Sequence, residues 1–206
     1  MNARTLFNER RSVNFFDKTK EIDMQTVKEI INLAVLAPSA FNLQPWRIIV
    51  VKSDSSKERL FGLSNTQDKV KEAAVNLILV GKKNAWDNSN PVWQEMLESV
   101  SGNQKMVDSA KQAASFLYGS SEERSLKFAE SNTGLLAMAI MIAAKEFGVD
   151  THPMSGIDFD GIHKEFGLSE DETVVMTMAM GYADKNQALY PRRPRLTFDE
   201  IATVAS

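Results

Sequence analysis

The stretch PSAFNLQPWRIIVV, residues 38–51, is where the chain changes character. Ahead of it, Met24, Val27, Ile30, Ile31, Ala34 and Val35 recur at helical spacing behind Asp23, a good N-cap residue. Pro38 ends that helix, because proline disfavours helical geometry in the residue before it. SAFNLQP then reads as a polar loop. Trp46–Val51 is short, apolar and β-branched, the pattern of a strand covered on both faces. Two further runs read as strands, VNLILV at 75–80 and ETVVMTMAM at 172–180. Few strands joined by helix-rich connections predict an α+β or three-layer α/β chain.

The remaining elements follow from caps and breakers. Asn2 can cap a short helix through Arg10, with Leu6 and Phe7 as its apolar contacts. Ser55 with Glu58, and Ser120 with Glu123, fit capping boxes. The second opens a long helix that Gly148 stops. Its middle, Leu135–Ala144, is apolar all round and predicts a central helix covered on every side. Residues 86–118 are polar with helical spacing, and Pro91 can start a helix there. Asp158 can cap a helix ending at Gly167. Beyond Asp184, Pro191 and Pro194 make an extended arm, and Thr197 with Glu200 can open a last short helix. No repeat or flexible linker divides the chain. We expect one domain over 1–206, with a helical insertion around 86–120 and an arm over 184–206.

Composition excludes several functions. The 206 residues carry a net charge of −3 and 43% apolar residues, so no electrostatic footprint for nucleic acid or anionic membrane is present. Without cysteine there is no thiolate chemistry or cysteine metal site. His152, placed in a loop before Pro153, and His163, on an exposed helix face, form no metal pattern. The longest apolar run, Gly134–Ala144, falls far short of the roughly 20 residues of a membrane span. The charged N-terminus MNARTLFNERR lacks the apolar core of a secretory signal, and we expect a cytoplasmic protein. Neither GxGxxG nor GxxxxGK occurs, and no carboxylate pair stands out.

What remains is four polar clusters beside buried elements: RRS at 10–12, PSAFNLQPW at 38–46, PMSG at 153–156 and RRPR at 192–195. Taken singly each has an ordinary explanation. Arg10 and Arg11 suit a helix C-terminus. Asn42 suits a turn, Gln44 can bond loop backbone, Trp46 can pack, and Arg195 can pair with Asp199.

In their order and spacing the four clusters resemble the nitroreductase family of FMN enzymes, over nearly the whole chain from Arg10 to about Val204. The resemblance implies a three-layer α/β/α fold with a mostly antiparallel central sheet. It also implies FMN as cofactor, NAD(P)H as electron donor, and a small acceptor such as a nitro compound or quinone, reduced by a ping-pong mechanism. A protein of this fold that holds FMN without turnover is the other class compatible with the clusters. Arg10 and Ser12, in the segment Arg10–Arg11–Ser12, match the phosphate and ribitol end. They are joined by Arg193 and Arg195, with Arg192 as the other candidate. Guanidinium groups suit a phosphate dianion. Asn42 and Gln44, in the loop of Pro38, Ser39 and Ala40, match the polar edge of the flavin ring, and Gln67 a ring-contacting amide. Pro153, Met154, Ser155 and Gly156 match the segment passing flavin N5, with backbone N–H from Ser155 or Gly156. Ser155 stands where the family often has Glu. Asn14 stands where it usually has Arg or Lys. No catalytic side chain and no metal are implied, since the flavin carries the chemistry. The resemblance further implies a homodimer with FMN at the subunit interface, the Pro38–Ser39 loop coming from the second subunit. The acceptor pocket would draw on residues 86–118, with Trp86, Trp93 and Phe116 as candidates.

Overall fold

The computed structural model describes residues 2–205. At its centre is a sheet of four strands, β1 (Trp46–Val51), β2 (Val75–Lys82), β3 (Asp150–Met154) and β4 (Glu172–Gly181). Their order is β1-β2-β4-β3 and every neighbouring pair is antiparallel. β2 is buried along Val75–Gly81, as its uniform apolar run requires. In β1, by contrast, only Val51 is buried. The sequence suggested a strand covered on both faces, but β1 lies at a sheet edge. β3 was not expected as a strand: His152 and Pro153, read as loop, pair with Ala179 and Met178. A proline is tolerated there because β3 is the other edge.

Alternation along β2 feeds two cores. Leu77 and Leu79 face α2 (Met24–Ala34) and α7 (Glu122–Glu146), packing with Val27, Ile30, Leu136 and Ile140. Ile78 and Val80 face the opposite layer, with Leu60 of α3 (Asp54–Gly62), Val70 of α4 (Lys69–Glu72) and Ile162 of α8 (Phe159–Glu165). The result is three layers, as expected. Each buried Leu or Ile contributes about 1.5–3 kcal/mol by leaving water. α7 lies close on β2 because Gly81 has no side chain: a Cβ there would meet Ala129 at 3.1 Å. A third cluster joins Leu43, Trp93 of α5 (Val92–Ser99), Val107 and Ala114 of α6 (Gln104–Tyr118), and Phe128 of α7.

Caps fall where the sequence placed them for α1 (Ala3–Glu9, Asn2), α2 (Asp23), α8 (Asp158) and α9 (Phe198–Ile201), whose Thr197–Glu200 capping box is formed. Two differ. Ser53, not Ser55, caps α3, and Ser121, not Ser120, caps α7. Gly148, with φ +71°, ends α7 as expected. The middle of α7 is not covered on every side within one chain: Leu135 is 48% exposed while Leu136 and Ile140 are buried. Leu36 on the α2 exit, and Phe198 and Ile201 in the arm, are also exposed. Among the described residues no helix is long and apolar enough to cross a membrane.

Candidate functional site: a basic mouth and an amide loop

At one edge of the sheet, the chain leaving α1 lies against β3. Ser12 bridges Thr151, the Val13 N–H donates to the Thr151 carbonyl at 3.1 Å, and His152 Nδ1 bonds the Val13 carbonyl at 2.9 Å. Only a donor satisfies a carbonyl, so His152 carries its proton on Nδ1. Burial lowers the His152 pKa and the nearby Lys69 ammonium adds to this, against the opposing effect of the Val13 bond.

The arm folds back over this edge. Arg192 Nη2 donates to the carbonyls of Asn8 at 2.6 Å and Arg10 at 3.1 Å, and Arg11 donates to the Tyr190 carbonyl. The Tyr190 ring meets that of Phe15 at 5.9 Å. Together they enclose a cavity of about 260 Å³ lined by Arg10, Arg11, Ser12, Tyr190, Arg192, Arg193 and Arg195. Two clusters separated by 180 residues of sequence thus form one mouth. Among the described residues no carboxylate pairs with any of these arginines. Arg195 bonds backbone carbonyls of Arg193 and Pro194 rather than Asp199. Burial lowers the Arg10 pKa, and the charges of Arg192, Arg195 and Arg11 lower it further. Such a cluster is electrostatically complete only with an anion in it.

Beyond the mouth, the PMSG segment leaves β3. Gln67 Nε2 and Asn65 Nδ2 both donate to the Gly156 carbonyl, at 3.1 and 3.0 Å. Gln67, expected to contact the ring, thus also fastens the PMSG segment. Its Oε1 accepts from Lys69 Nζ at 3.2 Å. Burial lowers the Lys69 pKa, opposed by Asp68 and Glu72. Lys71 is engaged elsewhere, with Glu58 at 2.8 Å and over the Phe61 ring. Ser155 and Gly156 are exposed, Pro153 and Asn14 half-buried, and Met154 is part of the core.

The third group, Pro38, Ser39, Ala40, Asn42 and Gln44, lies apart. It leads into β1 at the opposite edge of the sheet from β3. Phe41, Asn42 and Gln44 have left-handed φ of 52°, 55° and 47°, a conformation unfavourable for residues other than glycine. Ser39 Oγ accepts the Gln44 N–H at 3.0 Å, closing the turn. Three side chains that the sequence reading did not single out hold the loop from outside. Asn132 Oδ1 accepts the Ala40 N–H at 3.0 Å, Asn90 Nδ2 donates to the Leu43 carbonyl at 3.0 Å, and Thr133 Oγ1 donates to the Pro45 carbonyl at 3.4 Å. A signal for Asn132 existed: it shares a four-residue stripe with Leu136, Ile140 and Ala144, so it was placed to be buried.

The aromatic candidates of the 86–118 segment divide. Trp93 is core, its Nε1 donating to the Asp87 carbonyl at 2.8 Å. Trp86 packs against Gly119, and Phe116 is exposed. Among the described residues no group of carboxylates and histidines could hold a metal ion.

The chain matches the model of the Nitroreductase family over residues 8–182. It is 31% identical over 197 residues to a Bacillus subtilis protein named "Putative NAD(P)H nitroreductase MhqN", covering 95% of each chain. The solved structure of Bacillus subtilis ydfN superimposes with a TM-score of 0.91 at 30% identity, 98% of each chain being covered. A protein of Exiguobacterium sibiricum solved in complex with FMN gives a TM-score of 0.88 at 27% identity, over 100% of this chain and 98% of that one. An antiparallel four-stranded sheet between helical layers, a basic mouth on one edge and the PSAFNLQPW loop on the other, together with these matches, establish that this chain belongs to the nitroreductase family.

Proposed function

We propose that the protein is an FMN-dependent oxidoreductase that moves electrons from NAD(P)H to a small acceptor such as a nitro compound or a quinone. The observation that carries this reading is the mouth of Arg10, Arg11, Arg192, Arg193 and Arg195, which no carboxylate among the described residues neutralises. It fits a phosphate monoester. FMN, when bound, would supply the redox chemistry between the nicotinamide donor and the acceptor.

The chain's own residues bind and orient. The guanidinium groups of Arg10 and Arg193 make no hydrogen bond among the described residues and, with Arg195 and Ser12, are free to grip phosphate and ribitol. Arg192 and Arg11 hold the arm in place through backbone carbonyls, so Arg192 serves as an anchor rather than as a ligand. The Ser155 and Gly156 N–H groups would serve the N5 side of the ring, and Asn42 and Gln44 its polar edge. Donor and acceptor would occupy the same ring face in turn, a ping-pong order. A cytoplasmic setting fits a nicotinamide donor.

The two halves of this site lie at opposite edges of one sheet, which supports a homodimer with FMN between subunits. The exposed apolar residues Leu36, Leu135, Phe198 and Ile201 supply surface for it. Such an obligate interface buries well over roughly 2,000 Å². The test is the absorbance spectrum of the purified protein before and after anaerobic NADPH. Flavin bands that bleach support the enzyme. A colourless protein that rejects added FMN overturns it, and bands that NADH and NADPH both leave unchanged reduce it to a flavin-holding protein.

A further inference from the structure

We infer that Asn90 and Asn132 are positioning residues, which hold the 39–44 loop in the shape that presents Asn42 and Gln44 to the flavin ring. The inference rests on the proposed role of that loop.

The loop is strained in isolation. Phe41, Asn42 and Gln44 sit at φ near +50°, where a side chain crowds its own backbone. Each such residue costs of order 1–3 kcal/mol and persists only where surrounding contacts over-determine it. The loop's own ties are Ser39 Oγ to the Gln44 N–H and the backbone bonds from the Asn42 N–H to the Ser39 carbonyl and from the Leu43 N–H to the Ala40 carbonyl. The others come from outside, from two separate elements. Asn132, 7% exposed on α7, has both ends of its amide engaged: Oδ1 accepts the Ala40 N–H at 3.0 Å, while Nδ2 donates to the Phe128 carbonyl at 2.7 Å. The second bond fixes the rotamer, so the acceptor faces the loop.

Asn90 acts on the other end. Its Nδ2 lies 3.0 Å from the Leu43 carbonyl and 2.7 Å from the Ala85 carbonyl, and its Oδ1 accepts the Val92 N–H at 3.0 Å. It ties the loop to the segment entering α5. The Leu43 side chain is buried against Trp93 and Phe128, so the span between the two asparagines has an apolar anchor as well. Phe41 closes the same side, its ring edge-on to Tyr118 at 6.2 Å, which stacks on Phe128 at 4.3 Å. The 86–118 segment therefore has a task other than lining an acceptor pocket: it frames the ring-contacting loop.

The residues act through Ala40 and Leu43, so their loss moves the ring end of the site and leaves the phosphate end alone. Apo-protein of Asn90→Ala, Asn132→Ala, Asn132→Asp and Asn42→Ala is titrated with FMN and, separately, with riboflavin, which lacks the phosphate. Visible circular dichroism of the bound flavin is recorded for each. Asn90→Ala and Asn132→Ala are expected to weaken both ligands by the same factor, about tenfold, and to change the dichroism. Asn132→Asp keeps an oxygen for the Ala40 N–H but turns its second oxygen on the Phe128 carbonyl, so it is expected to weaken both ligands as Asn132→Ala does. Inorganic phosphate, tested as a competitor of FMN, keeps its wild-type affinity in these two variants and in Asn90→Ala; a general loss of stability would weaken phosphate as well. Wild-type affinity and dichroism in both alanine variants, with Asn42→Ala weakened, overturn the inference alone. An inert Asn42→Ala overturns the loop's role as well, and this inference with it. If the Asn132 variants do not fold, Asn90→Ala still decides the matter.

Discussion

At the mouth between α1 and the arm, the Arg10 and Arg193 guanidinium groups have no hydrogen-bond partner among the described residues, Arg195 touches only its neighbours' backbone, and like charges crowd one another. In the 39–44 loop almost the reverse holds: Ser39, Ala40, Leu43 and Gln44 each have a partner, and the backbone is forced into left-handed turns. On the proposed reading, the first region gathers unneutralised charge for an anion. The second is assembled by geometry before any ligand arrives. A phosphate is symmetric and strongly charged, so loose guanidinium groups can close on it. A ring edge must meet donors and acceptors in fixed positions, which calls for preorganisation.

The difference is sharpened most strongly by removing charge. Arg10→Ala and Arg195→Ala should each weaken FMN roughly ten- to hundredfold, a loss of about 1.5–3 kcal/mol, and leave riboflavin affinity nearly unchanged. Titration of the apo variants at two salt concentrations checks this. Equal losses for FMN and riboflavin would break the division between the two regions.

A subtler effect concerns Asn14, next to the Val13 that Thr151 and His152 hold. It brings no charge at a position where the family resemblance implies a cation. Asn14→Arg should raise the two-electron flavin potential, and each 1.4 kcal/mol of selective stabilisation corresponds to about 30 mV. Lys69 is the nearby cation without a carboxylate ion pair among the described residues, and Lys69→Met should lower the potential. Spectroelectrochemistry reads both; unchanged potentials would show that neither side chain faces the ring.

The smallest effect is on stability against pH. His152 has a folded-state pKa below its ordinary value, from burial and then from Lys69. The unfolded chain therefore binds the proton first as pH falls. The stability present above about pH 6.5, the ordinary histidine value, is lost as the solution is acidified towards the folded pKa. Wild type should lose melting temperature from pH 7.5 to about 5.5 more steeply than His152→Gln, in which that linkage is absent. Parallel curves would show that this histidine titrates alike in both states.

Much of this was legible in the sequence, and the failures have physical causes. β2 and β4 announce themselves by long apolar runs. β3, with Asp150, His152 and Pro153 in five residues, has no such pattern, and only pairing with β4 makes it a strand. Ser53 and Ser121 were displaced by neighbouring serines that satisfy the capping pattern equally well. The basic clusters were readable only through their order and spacing with the other two, which carry the family resemblance; singly, arginines at a helix end or in an arm have ordinary uses. Asn90 was not readable, because an amide that holds another residue's backbone looks like any polar residue until the loop it holds is in place; for Asn132 the helical stripe signalled burial but not which backbone it holds. The exposed side of α7 agrees only in part with the sequence: an all-round apolar run predicts a covered helix but not whether the cover comes from the same chain or from a second copy.

If the two regions serve one flavin while lying on opposite edges of a sheet, they must meet across a two-fold axis. Subunit mixing tests this most directly. A variant carrying Arg10→Ala with Arg195→Ala is combined with one carrying Asn42→Ala with Gln44→Ala, each unable to hold FMN alone, under conditions that exchange subunits. A mixed dimer then places both lesions in one site and leaves the other intact. At equal input and free exchange, FMN binding should return to about a quarter of the wild-type site content, with NADPH oxidation alongside it. No recovery of bound FMN, with mixed dimers demonstrably formed, would contradict the account.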